Sequence, residues 1–482
     1  MGETKQKTDS QNTLPTIFII LGATGDLMRQ KLIPALFHLY KAGSLPNLFL
    51  VVGFAKDNLD KEEFQKMVRK MTQAKVQATK EEIESFSKFF VYEQGTFEKK
   101  EGYEKLAKFL GYKDKAWQVC ANKLFYLAVP PQHYKTIFEN LHATKLTEPC
   151  SSEEGWTRVI VEKPFGKDLK TAQELDRLLG KLFYEEQIYR VDHYLGKETV
   201  QNILAFRFSN SFLEPAWNKD WIESITIRLR YPEDIEGRGA FYDGIGALRD
   251  VGQSHMLQLL ALFLMENPVT FEGDAVRKAR AEVLGSLVIP EAKELASKTL
   301  RGQYEGYTQE SNVAKDSATE TYFRIETTLK NPRWKGIKVI LENGKAMAEE
   351  DGSVEVVFRH RSSCLCPDPL NHQKNVLRYE IQPTEQIILK FWVKHPGSTM
   401  QIEERNFTFD YKEAFLGEKF ADAYERLLYN IIQGDQTLFV STKEIMASWE
   451  FVDSILRSWE KEKTPLIIYP KGASIIESKN KA

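Results

Sequence analysis

The chain has 482 residues, 42% of them hydrophobic and 12% aromatic, with four cysteines and a formal net charge of −2. That length holds two or more domains with cores of their own, and the near-neutral balance excludes an overall basic field for collecting nucleic acid or acidic membrane. No apolar run approaches a bilayer span, the polar start "MGETKQKTDSQNTLP" lacks a signal-peptide core, and four cysteines make no disulfide framework, so a soluble, cytoplasmic protein is expected.

Residues 1–15 read as a flexible tail. "TIFIILG" is a short apolar strand, and a helix is predicted from about Leu27 to Tyr40. "LFLVVGFA", "LFYLAVPP" and "RVIVEKP" are further strands, separated by helices such as "DLKTAQELDRLLGKLF", which sets Leu175, Leu178, Leu179 and Leu182 on one face. Continuous apolar strands alternating with helices predict a parallel sheet covered on both sides. After about residue 190 the pattern changes. A long helical run, "GALRDVGQSHMLQLLALFLME", is followed by strands such as "TYFRIETTL", "IKVILENG", "SVEVVFRH" and "VLRYEIQP". "SITIRLR", just upstream, alternates Ile225, Ile227 and Leu229 against Thr226, Arg228 and Arg230, the period-two signature of an antiparallel sheet with one packed face. The expected fold is therefore an α/β Rossmann-like nucleotide-binding domain over 16–190, then an α+β domain over 191–482 with a large, mainly antiparallel sheet.

Several stretches carry chemistry. Gly22 and Gly25 flank a tight turn between the first strand and the first helix, where free N–H groups can meet a pyrophosphate. At the end of the second strand an acid holds the ribose diol of NAD and a cation the phosphate of NADP. Here Lys56 and Asp57 stand side by side, and the choice stays open. Lys163 ends another strand, either beside a nicotinamide or as a surface cation paired with Glu162; Tyr126 and Pro130 end at the same edge. "RVDHYLGKETVQN" concentrates Asp192, His193, Tyr194 and Lys197, donors suited to a phosphate dianion. His255 lies on the face of Val251 and Leu259 and points inward, either as a hydrogen-bonded core residue or as a catalytic group. As a catalytic base it needs a carboxylate. Asp250 is disfavoured because five α-helical positions rotate it by about 140°, and Asp192 leads.

Taken in order, "GATGDL", "VEKPFGKDL", "YRVDHYLGKETVQN", "IEGRGAFYDGIGALRDVGQSH" and "ENGKA" resemble the bacterial-type glucose-6-phosphate dehydrogenase family from about Thr16 to Pro470. The resemblance implies that His255 is the general base for the C1 hydroxyl and Asp192 its carboxylate partner. It implies substrate contacts from Lys163, His193, Tyr194, Lys197, Asp250, Lys345 and Gln382. Gly22, Ala23, Thr24, Gly25, Asp26 and Leu27 correspond to the cofactor loop, with Lys56, Tyr126 and Lys163 nearby. The implied cofactor is NADP, with NAD an alternative and no metal; the implied partners are glucose 6-phosphate and further copies of the chain in a homodimer or homotetramer, with no nucleic acid and no membrane. Four positions depart from the family pattern: Lys56 for an Arg, Tyr231 for a Glu at the sugar, Glu350 for a cation and Ser254 for an Asn. Rival readings are a related oxidoreductase of unphosphorylated sugars, a silent nucleotide sensor, and a metal site on His360, Cys364, Cys366 and His372.

Overall fold

The computed structural model describes residues 15–150, 155–360 and 374–476. Cys364, Cys366, His372 and nearly all of the expected N-terminal tail lie outside them. The chain divides into two compact units. One comprises the chain through Lys197 together with Thr270–Arg277 and Ala421–Ile445; the other comprises Glu198–Val269, Lys278–Phe420 and the chain from Met446.

The first unit is built on β1 (Thr16–Leu21), β2 (Phe49–Ala55), β3 (Phe90–Gln94), β4 (Asn122–Leu127), β5 (Thr157–Glu162) and β6 (Ile188–Val191). They form one parallel sheet in the order β3-β2-β1-β4-β5-β6. Every residue of β1 and β4 is buried, as two covered faces require. Leu21 pairs with Phe54 and Leu127, and Glu162 pairs with Val191, so the carboxyl ends of the strands share an edge. Strand order reverses between β1 and β4, where such sheets open a ligand crevice. The sequence reading did not single out β3 and β6: one is a partly exposed edge strand and the other only four residues long. Residues 421–445 complete this unit from far downstream. Gln436 donates to the carbonyls of Glu185 (3.0 Å) and Ile188 (3.1 Å), and Arg158 to that of Ile432 (3.1 Å). Among the described residues Cys120 and Cys150 form a disulfide.

The second unit holds β7 (Ile222–Arg230), β8 (Thr299–Tyr304), β9 (Tyr322–Thr327), β10 (Lys338–Gly344), β11 (Asp351–Phe358), β12 (Val376–Gln382), β13 (Gln386–Lys394), β14 (Ile402–Asp410) and β15 (Leu466–Tyr469). Their order is β14-β13-β12-β11-β7-β10-β9-β8-β15. Ile225, Ile227 and Leu229 are fully buried, each worth about 1.5–3 kcal/mol. Two pairs, β7 with β10 and β8 with β15, run parallel within the mainly antiparallel sheet, and the long chain segments between their members supply the necessary crossovers. One continuous helical run, Leu248–Met256 and then Leu257–Leu264, is buried throughout from Val251. Its first turn is fixed by Glu320, whose carboxylate accepts from the Leu248 N–H (3.1 Å) and whose carbonyl accepts from that of Ala247 (2.9 Å). Among the described residues no helix is long and apolar enough to cross a membrane.

Candidate active site

At the carboxyl edge of the first sheet, Gly22 adopts φ +86°, and a Cβ there would lie 2.6 Å from the Ala128 carbonyl oxygen. Only glycine lets the loop come so close to the end of β4. The Gly25 N–H turns back onto the Gly22 carbonyl (3.0 Å), and the helix starts at Asp26. Ala23 is buried, Leu27 is half-buried, and Asp26 is exposed and paired with Arg29. Beside this loop lies a cleft of about 440 Å³, bounded by Gly22, Thr24, Gly25, Lys56, Thr96 and His133 among others. Its volume suits part of a dinucleotide. Asp57 accepts from the Thr24 hydroxyl at 2.7 Å. The backbone carrying it is fixed from β3: the Tyr92 hydroxyl donates to the carbonyls of Ala55 (2.9 Å) and Asp57 (2.7 Å), and Gln94 donates to that of Lys56 (3.2 Å).

Two strand ends along, β5 delivers Glu162 and Lys163. The Glu162 carboxylate accepts from the hydroxyls of Tyr126 and Tyr424, the latter at 3.2 Å. Burial pushes this carboxyl up to about 7; the two tyrosines and Lys163 oppose the shift and Asp192 adds to it. Tyr126 is buried, and its hydroxyl donates to Glu162 rather than facing the cleft beside the glycine loop. The neighbouring strand β6 is followed by Asp192, 1% exposed, whose carboxylate accepts from the Tyr194 N–H (3.0 Å) and caps the short turn His193–Gly196. The Lys197 ammonium lies 4.3 Å from the Tyr194 ring centroid, and the His193 ring stacks on Tyr424 at 6.4 Å and 17°. Helix Ala423–Gln433 braces this turn from behind: Arg426 donates to the Gly196 carbonyl (3.0 Å), and a Cβ on Gly196 would lie 2.6 Å from the Ala423 carbonyl. The structure thus brings Asp192, His193, Tyr194 and Lys197 onto one braced turn, beside the strand end that carries Lys163.

In the second unit, His255 is buried and Asp250 half-buried. The segment Leu248–Met256 that carries them is wound as a π-helix. This corrects the angular argument against Asp250: i→i+5 bonding makes five residues about one turn, so positions 250 and 255 share a side rather than lying 140° apart. Ser254 sits inside that turn and donates to the Asp250 carbonyl (3.0 Å). The charges felt by Lys345 include that of Asp250.

The remaining candidates occupy one end of four adjacent strands. Arg230 pairs with Gly344 and Asp351, and Gly352 with Gln382, so Tyr231, Lys345, Glu350 and Gln382 cluster by register. The Gln382 amide donates to Glu350 (2.8 Å). Burial holds the Lys345 ammonium below the usual lysine range; Arg238 adds to the shift, while Asp250, Glu233 and Glu236 oppose it. That ammonium lies 4.2 Å from the Tyr231 ring centroid.

Residues 19–202 match the family model "Glucose-6-phosphate dehydrogenase, NAD binding domain", and residues 204–481 match the corresponding "C-terminal domain". The chain belongs to the glucose-6-phosphate dehydrogenase family. A glucose-6-phosphate 1-dehydrogenase of Chlamydia pneumoniae is 38% identical over 95% of this chain and 93% of its own length. A glucose-6-phosphate dehydrogenase solved with its substrate glucose 6-phosphate superposes with a TM-score of 0.88 at 33% identity, over 97% of this chain and 96% of the other. The Mycobacterium avium enzyme gives 0.81 at 30%, over 95% of each. As a member of the glucose-6-phosphate dehydrogenase family the chain is an oxidoreductase with a nicotinamide-dinucleotide-binding domain, and the glycine loop and its cleft fit such a cofactor.

Sequence reasoning missed three features of this site. His133 ends a 3₁₀ turn on the cleft wall, 3.7 Å from Glu98, and no motif around it signals that place. Thr96 follows β3, a strand without a strong pattern. Tyr424 comes from helix Ala423–Gln433, and nothing local ties that helix to "DHYLGK".

Proposed function

We propose that the protein oxidises glucose 6-phosphate at C1 to 6-phosphoglucono-1,5-lactone, the first step of the oxidative pentose phosphate pathway. The carrying observation is the braced turn of Asp192, His193, Tyr194 and Lys197, next to Lys163 at the carboxyl edge of the dinucleotide-binding sheet. His193, Tyr194 and Lys197 hold the 6-phosphate by charge-assisted bonds. Lys163 contacts substrate and cofactor, while Asp250, Lys345 and Gln382 hold the sugar. Anchoring the phosphate fixes C1 before the base, which raises rate as well as affinity. His255 takes the C1 hydroxyl proton, and Asp192 fixes its tautomer and stabilises its charged form. The glycine loop and Lys56 would hold the nicotinamide dinucleotide, which would supply the hydride acceptor for C1.

Gly22, Ala23, Thr24, Gly25, Asp26, Leu27 and Lys56 form the cofactor site in this reading, with Tyr126 nearby. NADP is the first cofactor because Lys56 lines the cleft; NAD is the second because Asp57 stands beside it. No step calls for a metal. The boundary between the nucleotide-binding and substrate domains falls near residue 190. A cytoplasmic homodimer or homotetramer completes the reading, supported by Phe407 and Phe409 exposed on β14. The test is the initial rate of reduced-nicotinamide formation with NADP and NAD in parallel. Turnover of glucose 6-phosphate and not of glucose is expected; equal turnover of both sugars, or of neither, defeats the reading.

A further inference from the structure

Lys345 presents a physical problem. Its ammonium is largely withdrawn from water and shares its surroundings with the Arg238 guanidinium, so two of its strongest influences disfavour the charge. Asp250, Glu233 and Glu236 act against them. The Tyr231 ring centroid lies 4.2 Å from the Lys345 nitrogen. Both side chains rise from one tied stretch of backbone. The Tyr231 N–H donates to the Gly344 carbonyl (2.9 Å), and the Met347 N–H donates to the Tyr231 carbonyl (2.9 Å). Between them, the Lys345 N–H is bonded to Thr321 (3.0 Å), and its carbonyl accepts from the Tyr469 hydroxyl (2.8 Å). The two side chains therefore start from fixed neighbouring backbone positions, from which ring and ammonium meet.

We propose that Tyr231 is a positioning residue for sugar binding, holding the Lys345 ammonium on its ring face by a cation–π contact. A ring attracts the charge without the directional N–H···O bond that a carboxylate at 231 would form. The donors of the ammonium then remain for the hydroxyls of a sugar phosphate. The proposal rests on the reaction proposed above.

The test uses the full-length enzyme and the KM for glucose 6-phosphate. Tyr231→Phe keeps the ring face and stays within about twofold of the parent. Tyr231→Leu raises that KM about tenfold, with kcat and the nucleotide KM within about twofold. Trifluorophenylalanine at 231 keeps the ring's shape but drains its face of charge, and gives a rise of about fivefold even where the leucine variant fails to fold. In the background of Lys345→Ala none of these replacements changes KM further. A parent enzyme that turns over glucose 6-phosphate with a KM indifferent to ring electronics, or losses that add in the double variant, overturns the proposal. A parent that does not turn over the sugar phosphate at all defeats the reaction instead.

Discussion

In the six-stranded sheet every strand runs the same way, and β1, β2, β4, β5 and β6 end at one edge carrying Gly22, Lys56, Ala128, Lys163 and Asp192. In the nine-stranded sheet the clustered residues come from strands running both ways, and His255 comes from a helix wound out of α register. The first set follows from topology and a few glycines. The second depends on particular side chains: Glu320 on the first turn of the helix and Tyr231 beneath Lys345. The chemistry of the second unit should therefore be easier to break by single substitution, and that of the first easier to retune.

The largest expected effect is in the second unit. His255→Asn should lower kcat by roughly 10²- to 10⁴-fold while glucose 6-phosphate still binds, as steady-state rates and calorimetry would report. Retention of most turnover would remove the base from the helix. Glu162→Gln probes the first sheet through stability. A carboxyl raised by burial from 4.5 to about 7 stabilises the fold fully below 4.5, and that contribution is lost as pH climbs through 7. The parent should lose up to roughly 3 kcal/mol between pH 4.5 and 8 from this group. Denaturant midpoints of the variant should be flatter across that window; parallel curves would contradict the enclosed carboxyl.

Next, Lys197→Ala should narrow the preference for glucose 6-phosphate over glucose by about 30-fold in kcat/KM. An unchanged preference would move the phosphate elsewhere. The smallest effect tests retuning. Asp57→Asn removes a fixed negative charge beside Lys56 and should raise the NADP-to-NAD ratio of kcat/KM about tenfold. No change in that ratio would mean that the Thr24–Asp57 contact does not face the ribose.

What could be read beforehand follows the same division. Apolar strands followed by Gly22, Lys163 and "DHYLGK" announced the first edge, because a parallel strand buried on both faces writes itself as a continuous apolar run. The alternation of Ile225, Ile227 and Leu229 announced β7 in the same direct way. The π winding of Leu248–Met256 was invisible, since an apolar helix face does not reveal which residue bonds to which carbonyl. The 140° separation of Asp250 and His255 expected of an α-helix does not hold in that winding. The parallel pairing of β7 with β10 was equally hidden, as alternation is the same in both directions. Residues 421–445 joined the first unit through contacts such as Gln436 with Ile188, and contacts separated by so much chain leave no local trace. The departure at Tyr231 was legible as a letter, but its stacking on Lys345 needed coordinates.

The most direct test of the central claim follows the hydrogen. Glucose 6-phosphate deuterated at C1 would be turned over with oxidised nicotinamide, and the reduced product examined by mass spectrometry. One deuterium carried into the reduced nicotinamide, with none released to solvent, is the result predicted for hydride transfer from C1 while His255 takes the hydroxyl proton. Reduced nicotinamide free of deuterium, with the label left on the sugar or lost to water, would contradict oxidation at C1.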